Sequence, residues 1–197
     1  MSTGVWSGII LAIIIILIVL AIVLTLVTRV VGRRRRSQRL HETFGPEYDR
    51  TVSRFGNRDR AEAELQGRQE RVEGFNIQPL APADHARFSE AWRATQARFV
   101  DEPAAATAAA DRLVTDLLVV RGYPMHEFEQ RAADVSVHHP DVVANYRKAH
   151  ATSLASEQGQ ASTEDLRTAM IHYRELFDEL LGKAETTQPE SRERTEV

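Results

Sequence analysis

The residues best suited to chemistry lie between Arg121 and His150, in the stretch RGYPMHEFEQRAADVSVHHPDVVANYRKAH. This stretch holds four of the seven histidines of the chain, together with several carboxylates. Imidazole and carboxylate groups are what a metal site or an acid–base pair requires. The candidate patch for a ligand or a partner comprises Arg121, Tyr123, Glu129, Asp134, His138, His139, Asp141 and Arg147.

The spacing of these residues does not match a known reactive motif. The chain has no HExxH pair, no glycine-rich phosphate loop and no GxSxG nucleophile elbow. His138 and His139 are adjacent, so their side chains point in different directions on regular secondary structure. Pro140 after them is typical of a helix start. We therefore predict polar side chains that cap helices or form structural ion pairs, with no catalytic residue, no metal ligand and no cofactor.

The charge and the lack of cysteine exclude several classes of function. None of the 197 residues is cysteine, which excludes disulfides, thiolate catalysis and thiolate zinc sites. The first 36 residues carry five arginines and no Asp or Glu, so the net charge of −3 for the whole chain leaves −8 for residues 37–197. Affinity for nucleic acid depends on neutralising phosphates, and an acidic domain does this poorly. We predict no nucleic-acid partner.

Amphipathic helices are predicted to position the polar residues. Apolar side chains recur with the period of a helix in three segments after residue 81. Ser162 with Asp165 resembles a capping box at the start of the last one. The stripes are Phe88, Trp92, Thr95 and Phe99; Ala106, Ala110, Leu113, Leu117 and Val120; and Leu166, Met170, Tyr173, Phe177 and Leu180. With a fourth helix from Pro140, they predict an all-α bundle of about four to five helices over residues 41–181.

Two more helical segments are predicted in the first part of this range, ahead of the four helices above. The pairs GP at 45–46 and GN at 56–57 interrupt helices, so the apolar residues between them predict one short helix packed on the domain. Residues 58–73 are rich in charge and predict an exposed helix, in which Glu64 and Arg68 form an i, i+4 pair. The residues expected on the inward side of that helix are Ala61, Leu65 and Val72.

The stretch from Val5 to Thr28 contains no charged residue and predicts a transmembrane helix, because about 20 apolar residues cross the core of a bilayer. Arginines follow the stretch and none precedes it, so the positive-inside rule places the remaining chain in the cytoplasm. The residues expected at the membrane interface, in contact with lipid, are Trp6, Arg29, Arg33, Arg34, Arg35, Arg36 and Arg39.

The predicted order of segments follows from this anchor. The segments are a short extracytoplasmic N-terminus (1–4), the transmembrane helix (5–28), a basic juxtamembrane segment (29–40), the cytoplasmic helical domain (41–181) and a disordered tail (182–197). A cleaved signal peptide is disfavoured, because no Lys or Arg precedes the apolar run and the run is longer than about 15 residues.

The Arg121–His150 stretch carries a resemblance, together with HETFGPEYDRTV upstream and TEDLRTAMIHYRELFDELL downstream. The sequence resembles a group of bacterial single-pass membrane proteins with no assigned function, over most of residues 41–181. The resemblance implies a location in the bacterial plasma membrane, with the N-terminus outside and a cytoplasmic helical domain. It supplies no catalytic residue.

Three hypotheses of function follow from the sequence, one of which is a lipid sensor that uses the arginine cluster at residues 33–36. The first is a membrane-anchored helical interaction or scaffold module without catalytic activity, which binds a protein partner or a second copy of itself. Its lipid contacts would come from the transmembrane helix and the basic cluster. The alternative is a membrane-tethered enzyme, or a binder of a small ligand or metal, that uses the Arg121–His150 region.

Overall fold

The structure is a computed structural model that describes residues 20, 24, 25, 28 and 32–182, and every regular element within these residues is helical. Helix α1 covers residues 32–44. The helices that follow are α2 (Pro46–Phe55), α3 (Arg58–Glu73), α4 (Pro82–Arg98), α5 (Pro103–Val120), α6 (Phe128–Val135), α7 (Pro140–Glu157) and α8 (Thr163–Leu181). The predicted all-α class is confirmed for this part of the chain. The number of helices in it exceeds the four to five predicted, because α2, α3 and the short α6 join the long amphipathic helices.

The structure corrects the prediction of a transmembrane helix and of a single-pass location in the bacterial plasma membrane. Within residues 20, 24, 25, 28 and 32–182, no helix is long and apolar enough to cross a membrane. Charge is the physical reason, since even the apolar α5 carries Asp111, Arg112 and Asp116. The remainder of the predicted span 5–28, the interface residues Trp6 and Arg29, and residues 183–197 of the predicted tail lie outside the described residues.

The described chain divides into two compact units, and the first of them ends at Ala63. It contains α1, α2 and the first turns of α3. Its buried apolar side chains include Leu40, Phe44 and Tyr48. Helix α2 begins after Gly45 and ends at Gly56, whose left-handed backbone (φ 61°) lets its N–H donate to the carbonyl oxygen of Val52. Both predicted boundaries of this short helix are confirmed.

The second unit begins at Glu64 and is built on α4, α5, α7 and α8, with α6 packed beside α7. Helix α8 contacts both α5 and α7, and the rings of Trp92 and Phe177 stack with their centroids 4.6 Å apart. The predicted stripes supply much of the core, and their buried members are Phe88, Trp92, Ala106, Ala110, Leu117, Leu166, Met170, Tyr173, Phe177 and Leu180. The capping box of Ser162 and Asp165 is also confirmed.

An irregular connector, residues 74–81, joins α3 to α4 within the second unit. Phe75 and Ile77 of the connector pack partly buried against the core. The N–H of Gln78 donates to the carbonyl oxygen of Arg121 at 3.0 Å. This hydrogen bond ties the connector to the end of α5, where Gly122 turns the chain with φ 99°.

Candidate functional site

Three members of the predicted patch lie together near the start of α7. Tyr123 is 3% exposed, and its hydroxyl lies 3.1 Å from Nδ1 of His138. Nδ1 of His139 lies 3.6 Å from a carboxylate oxygen of Glu179. Burial raises the pKa of Tyr123 to about 12, so this hydroxyl stays protonated. Burial also lowers the pKa of both histidines, and the positive charge of Arg121 adds to that effect.

The other members of the patch make contacts elsewhere. Asp134 is buried, and its Oδ1 accepts a hydrogen bond from Nε of Arg71 at 2.9 Å. Nε of Arg147 lies 4.0 Å from a carboxylate oxygen of Glu129, whereas Asp141 is exposed. Within residues 32–182, the structure therefore brings the predicted residues together in pairs and not around one centre.

Helix α3 is less exposed than its charge suggests. Arg68 is only 1% exposed; its guanidinium donates to a carboxylate oxygen of Glu64 at 3.1 Å and lies 3.4 Å from Oγ of Ser136. The predicted pair of Glu64 and Arg68 is present, but its arginine is buried. The sequence contained a signal for this, because Arg68 completes the i, i+4, i+7, i+11 stripe of buried residues that begins at Ala61.

A partly buried polar network that the sequence analysis missed joins α5, α7 and α8. Oδ1 of Asp111 accepts a hydrogen bond from the hydroxyl of Tyr173 at 2.8 Å and lies 3.2 Å from Nδ1 of His150. The ring of Phe128 stacks on the imidazole of His150, with centroids 3.6 Å apart. Burial alone would raise the pKa of Asp111, but the hydrogen bonds from His150 and Tyr173 outweigh burial and lower it.

This network can orient an imidazole and hold a carboxylate in its ionised form. Burial and the charge of Asp111 raise the pKa of Tyr173, so its hydroxyl remains a donor. No group of three or more His, Asp or Glu side chains in the described ranges is arranged to hold a metal ion. Because the network links three helices, we assign it the role of stabilising their packing in the bundle. Its signal in the sequence is a carboxylate placed directly after the buried Ala110 of an apolar helix.

The first unit also contains a buried carboxylate with several hydrogen-bond donors, that of Glu62. Oε1 of Glu62 accepts hydrogen bonds from the hydroxyl of Ser37 at 2.5 Å, the hydroxyl of Tyr48 at 2.8 Å and Nε of Arg58 at 3.2 Å. Burial would raise the pKa of Glu62, but these hydrogen bonds lower it below its ordinary value, so the carboxylate is ionised. A cleft of about 480 Å³ opens beside this cluster, between α1 and the start of α3.

A smaller depression of about 170 Å³ lies between α4 and α8 in the second unit. Its apolar lining comes from Phe99, Met170 and Ile171. Arg167 and Arg174, which follow one another by two turns along α8, also line it. Ile171 is 44% exposed, so its apolar side chain is accessible to a partner at this depression.

Comparison with known proteins assigns nothing to these sites. No family model, no curated protein and no solved structure matches the chain. The resemblance to bacterial membrane proteins of no assigned function therefore stays a prediction. The function has to be argued from the contacts and surfaces of the two units.

The lowered pKa values of His138 and His139 predict a loss of stability of the second unit below about pH 6.5. Because the pKa of His138 and of His139 is lowered in the folded unit, the unfolded chain binds protons that the folded unit does not as the pH falls below the ordinary value of about 6.5. The free energy of unfolding is therefore expected to decrease in that range. A second decrease is expected below about pH 4, where protonation of Asp111, whose folded pKa is lowered, removes its contribution.

Urea unfolding at about pH 7.5 and about pH 5.5 measures the first effect. In a Trp6→Phe chain the fluorescence reports on Trp92 alone, because the chain has two tryptophans. The pair of substitutions His138→Gln and His139→Gln should reduce the difference in unfolding free energy between the two pH values. His126→Gln, at an exposed position, should leave this difference unchanged. The same pH dependence in both variants would contradict the assignment.

Proposed function

We propose that the chain is a helical protein-interaction module, and that the depression between α4 and α8 receives one apolar side chain of a partner helix. The observation that carries the proposal is the partly exposed Ile171 beside Phe99 and Met170, in a concave surface. A cavity of about 150 Å³ holds a molecule of benzene, so a depression of about 170 Å³ has room for one aromatic or branched side chain.

The edge of the depression supports a partner with acidic residues. Arg167 is ion-paired with Glu164 at 2.6 Å, and Arg174 with Asp178 at 3.3 Å, each within α8. All four side chains are more than half exposed, and exposed pairs of this kind contribute only about 0–1 kcal/mol. Either guanidinium can therefore turn to a carboxylate of a partner at little cost. The expected partner is an amphipathic helix with one large apolar residue flanked by Asp or Glu.

The alternative hypothesis, a ligand site or enzyme in the Arg121–His150 region, has less support. A ligand site needs several polar groups that converge on one concave surface. In that region Tyr123 and His138 contact each other, while Asp134 is occupied by Arg71. These contacts engage the Tyr123 hydroxyl, Nδ1 of His138 and Oδ1 of Asp134 within the protein, which supports a structural role for these three groups.

A pull-down of the tagged full-length chain after cross-linking in cells tests the proposal. The test variant is Ile171→Glu, and the matched control is Leu154→Glu, because Leu154 is 45% exposed on α7 and does not line the depression. We expect a stoichiometric partner to be recovered with the wild type and with Leu154→Glu, and its recovery to fall at least about tenfold with Ile171→Glu, as a loss of about 1.4 kcal/mol requires. Circular dichroism should show both variants folded.

Two results would contradict the proposal: equal recovery with Ile171→Glu and Leu154→Glu, or loss of the partner with both. If the tagged chain instead recovers an untagged copy of the same chain, and Ile171→Glu but not Leu154→Glu abolishes this recovery, the partner is a second copy of this chain and not a separate protein. Sequencing of the recovered protein distinguishes these results, since an acidic amphipathic segment is expected in a separate partner.

A further inference from the structure

The first unit differs from the second in the sign of its charge. Residues 32–63 contain nine arginines and five Asp or Glu, whereas residues 64–182 contain 12 Lys or Arg and 19 Asp or Glu. A cleft of about 480 Å³ lies within this basic unit. One side of α1 and the first turn of α3 line it. Pockets for small ligands have volumes of about 300–1,000 Å³. The cleft is therefore large enough for an organic molecule.

Two arginines of α1 line the cleft without a partner of their own. Arg33 and Arg34 are exposed, and neither makes a hydrogen bond or ion pair with any residue that the structure describes. Because both side chains line the same cleft, their like charges repel each other there. A bound group with two negative charges would relieve this repulsion.

A third arginine is held in place on the opposite side of the cleft. Nε of Arg58 donates to the hydroxyl of Tyr48 at 2.8 Å and to Oε1 of Glu62 at 3.2 Å. Both bonds use Nε, so the two terminal amino groups of Arg58 stay available for a ligand. The side chain is 67% exposed toward solvent. A guanidinium fixed from behind in this way is pre-organised to bind an anion.

The carboxylates beside the cleft offset only part of this charge, since Arg33, Arg34 and Arg58 against Glu62 and Asp59 leave a net charge of +1. Glu62 is 7% exposed, and its oxygen is already occupied by Ser37, Tyr48 and Arg58, so it serves to position Arg58. Asp59 also lines the cleft and is exposed. The positive end of the helix dipole of α3, which begins at Arg58, adds to the attraction for an anion.

We infer that the cleft binds the phosphate group of a phosphorylated compound through Arg33, Arg34 and Arg58. Guanidinium groups match the oxygens of a phosphate with paired hydrogen bonds. The cleft is much larger than a phosphate ion, so an organic part of the ligand occupies the remaining space beside Ser37 and Gln38. A soluble phosphorylated metabolite and a phosphate-bearing lipid headgroup share this chemistry.

The test is binding of phenyl phosphate to the purified full-length chain, measured by calorimetry, with vesicles of phosphatidylcholine alone or with phosphatidic acid as a second probe. The variant Arg33→Gln with Arg34→Gln alters two exposed residues that hold no structural contact in the described chain. A matched control is Arg54→Gln with Arg60→Gln, which makes the same change of charge in the same unit at exposed positions outside the cleft. Arg58→Gln tests the third contact.

We expect the affinity for phenyl phosphate to fall at least about tenfold in the Arg33 and Arg34 variant, since it removes two guanidinium groups that would donate charge-assisted hydrogen bonds to the phosphate. The Arg54 and Arg60 variant should bind within about twofold of the wild type. Binding of phosphatidic acid vesicles alone, with the same dependence on Arg33 and Arg34, would identify a lipid headgroup as the source of the phosphate. Equal losses in the two paired variants, or no binding of either probe, would overturn the inference.

Discussion

Substitution of Gly122 by alanine is expected to lower the free energy of unfolding of the second unit by at least about 3 kcal/mol. Gly122 has φ 99°, a backbone conformation that costs an L-residue energy whatever its surroundings. The added Cβ would also lie 2.1 Å from the carbonyl oxygen of Asn76 and 2.8 Å from its carbonyl carbon. These are backbone atoms of a connector that the hydrogen bond from Gln78 to Arg121 holds in place, so they cannot move aside as a side chain would.

Substitutions at two other glycines separate the two causes of the expected loss of unfolding free energy, which are backbone strain and steric overlap of the added Cβ with Asn76. Gly159 has φ 70° but nothing within 4 Å of an added Cβ, so Gly159→Ala should cost about 1–2 kcal/mol from backbone strain alone. Gly67 lies inside α3 with open space around it, so Gly67→Ala should stabilise the chain by about 0.5–1 kcal/mol. Urea unfolding followed by Trp92 fluorescence in the Trp6→Phe chain measures all three. A loss for Gly122→Ala no larger than that for Gly159→Ala would show that the collision is absent.

The apolar stripes of α5 and α8 could be predicted because the buried face of a helix is encoded locally. Residues at i, i+4 and i+7 share one side of the helix whatever it packs against. The capping box at Ser162 is local in the same sense, since its partner Asp165 is three residues away. A single sequence is therefore sufficient to predict features that depend only on residues within about two helical turns of each other.

The partners of the buried polar groups could not be predicted, because they depend on how the helices pack. Asp111 meets His150 and Tyr173, which are 39 and 62 positions away. Arg71 meets Asp134 at a separation of 63 positions. The residue types between Arg121 and His150 indicate polar groups, but their spacing along the chain carries no information about contacts from α3 and α5.

Replacement of Arg68 by alanine is expected to cost about 3 kcal/mol of unfolding free energy. The side chain is 1% exposed, so its truncation leaves a cavity beside Ser136 and removes the contact with Glu64. Arg68→Met keeps most of the volume and should cost less than about 1.5 kcal/mol, because a buried charge can be replaced by an apolar side chain of similar size.

The matched control for Arg68 is Arg93, which is also ion-paired on its own helix, to Glu90 at 3.1 Å, but has a side chain that is 72% exposed. Arg93→Ala should change the unfolding free energy by no more than about 0.5 kcal/mol, since exposed ion pairs contribute little. The same urea experiment compares the variants. Equal losses for Arg68→Ala and Arg93→Ala would contradict the burial of Arg68. A loss for Arg68→Met as large as that for alanine would assign the stabilisation of α3 to the guanidinium contacts and not to packing.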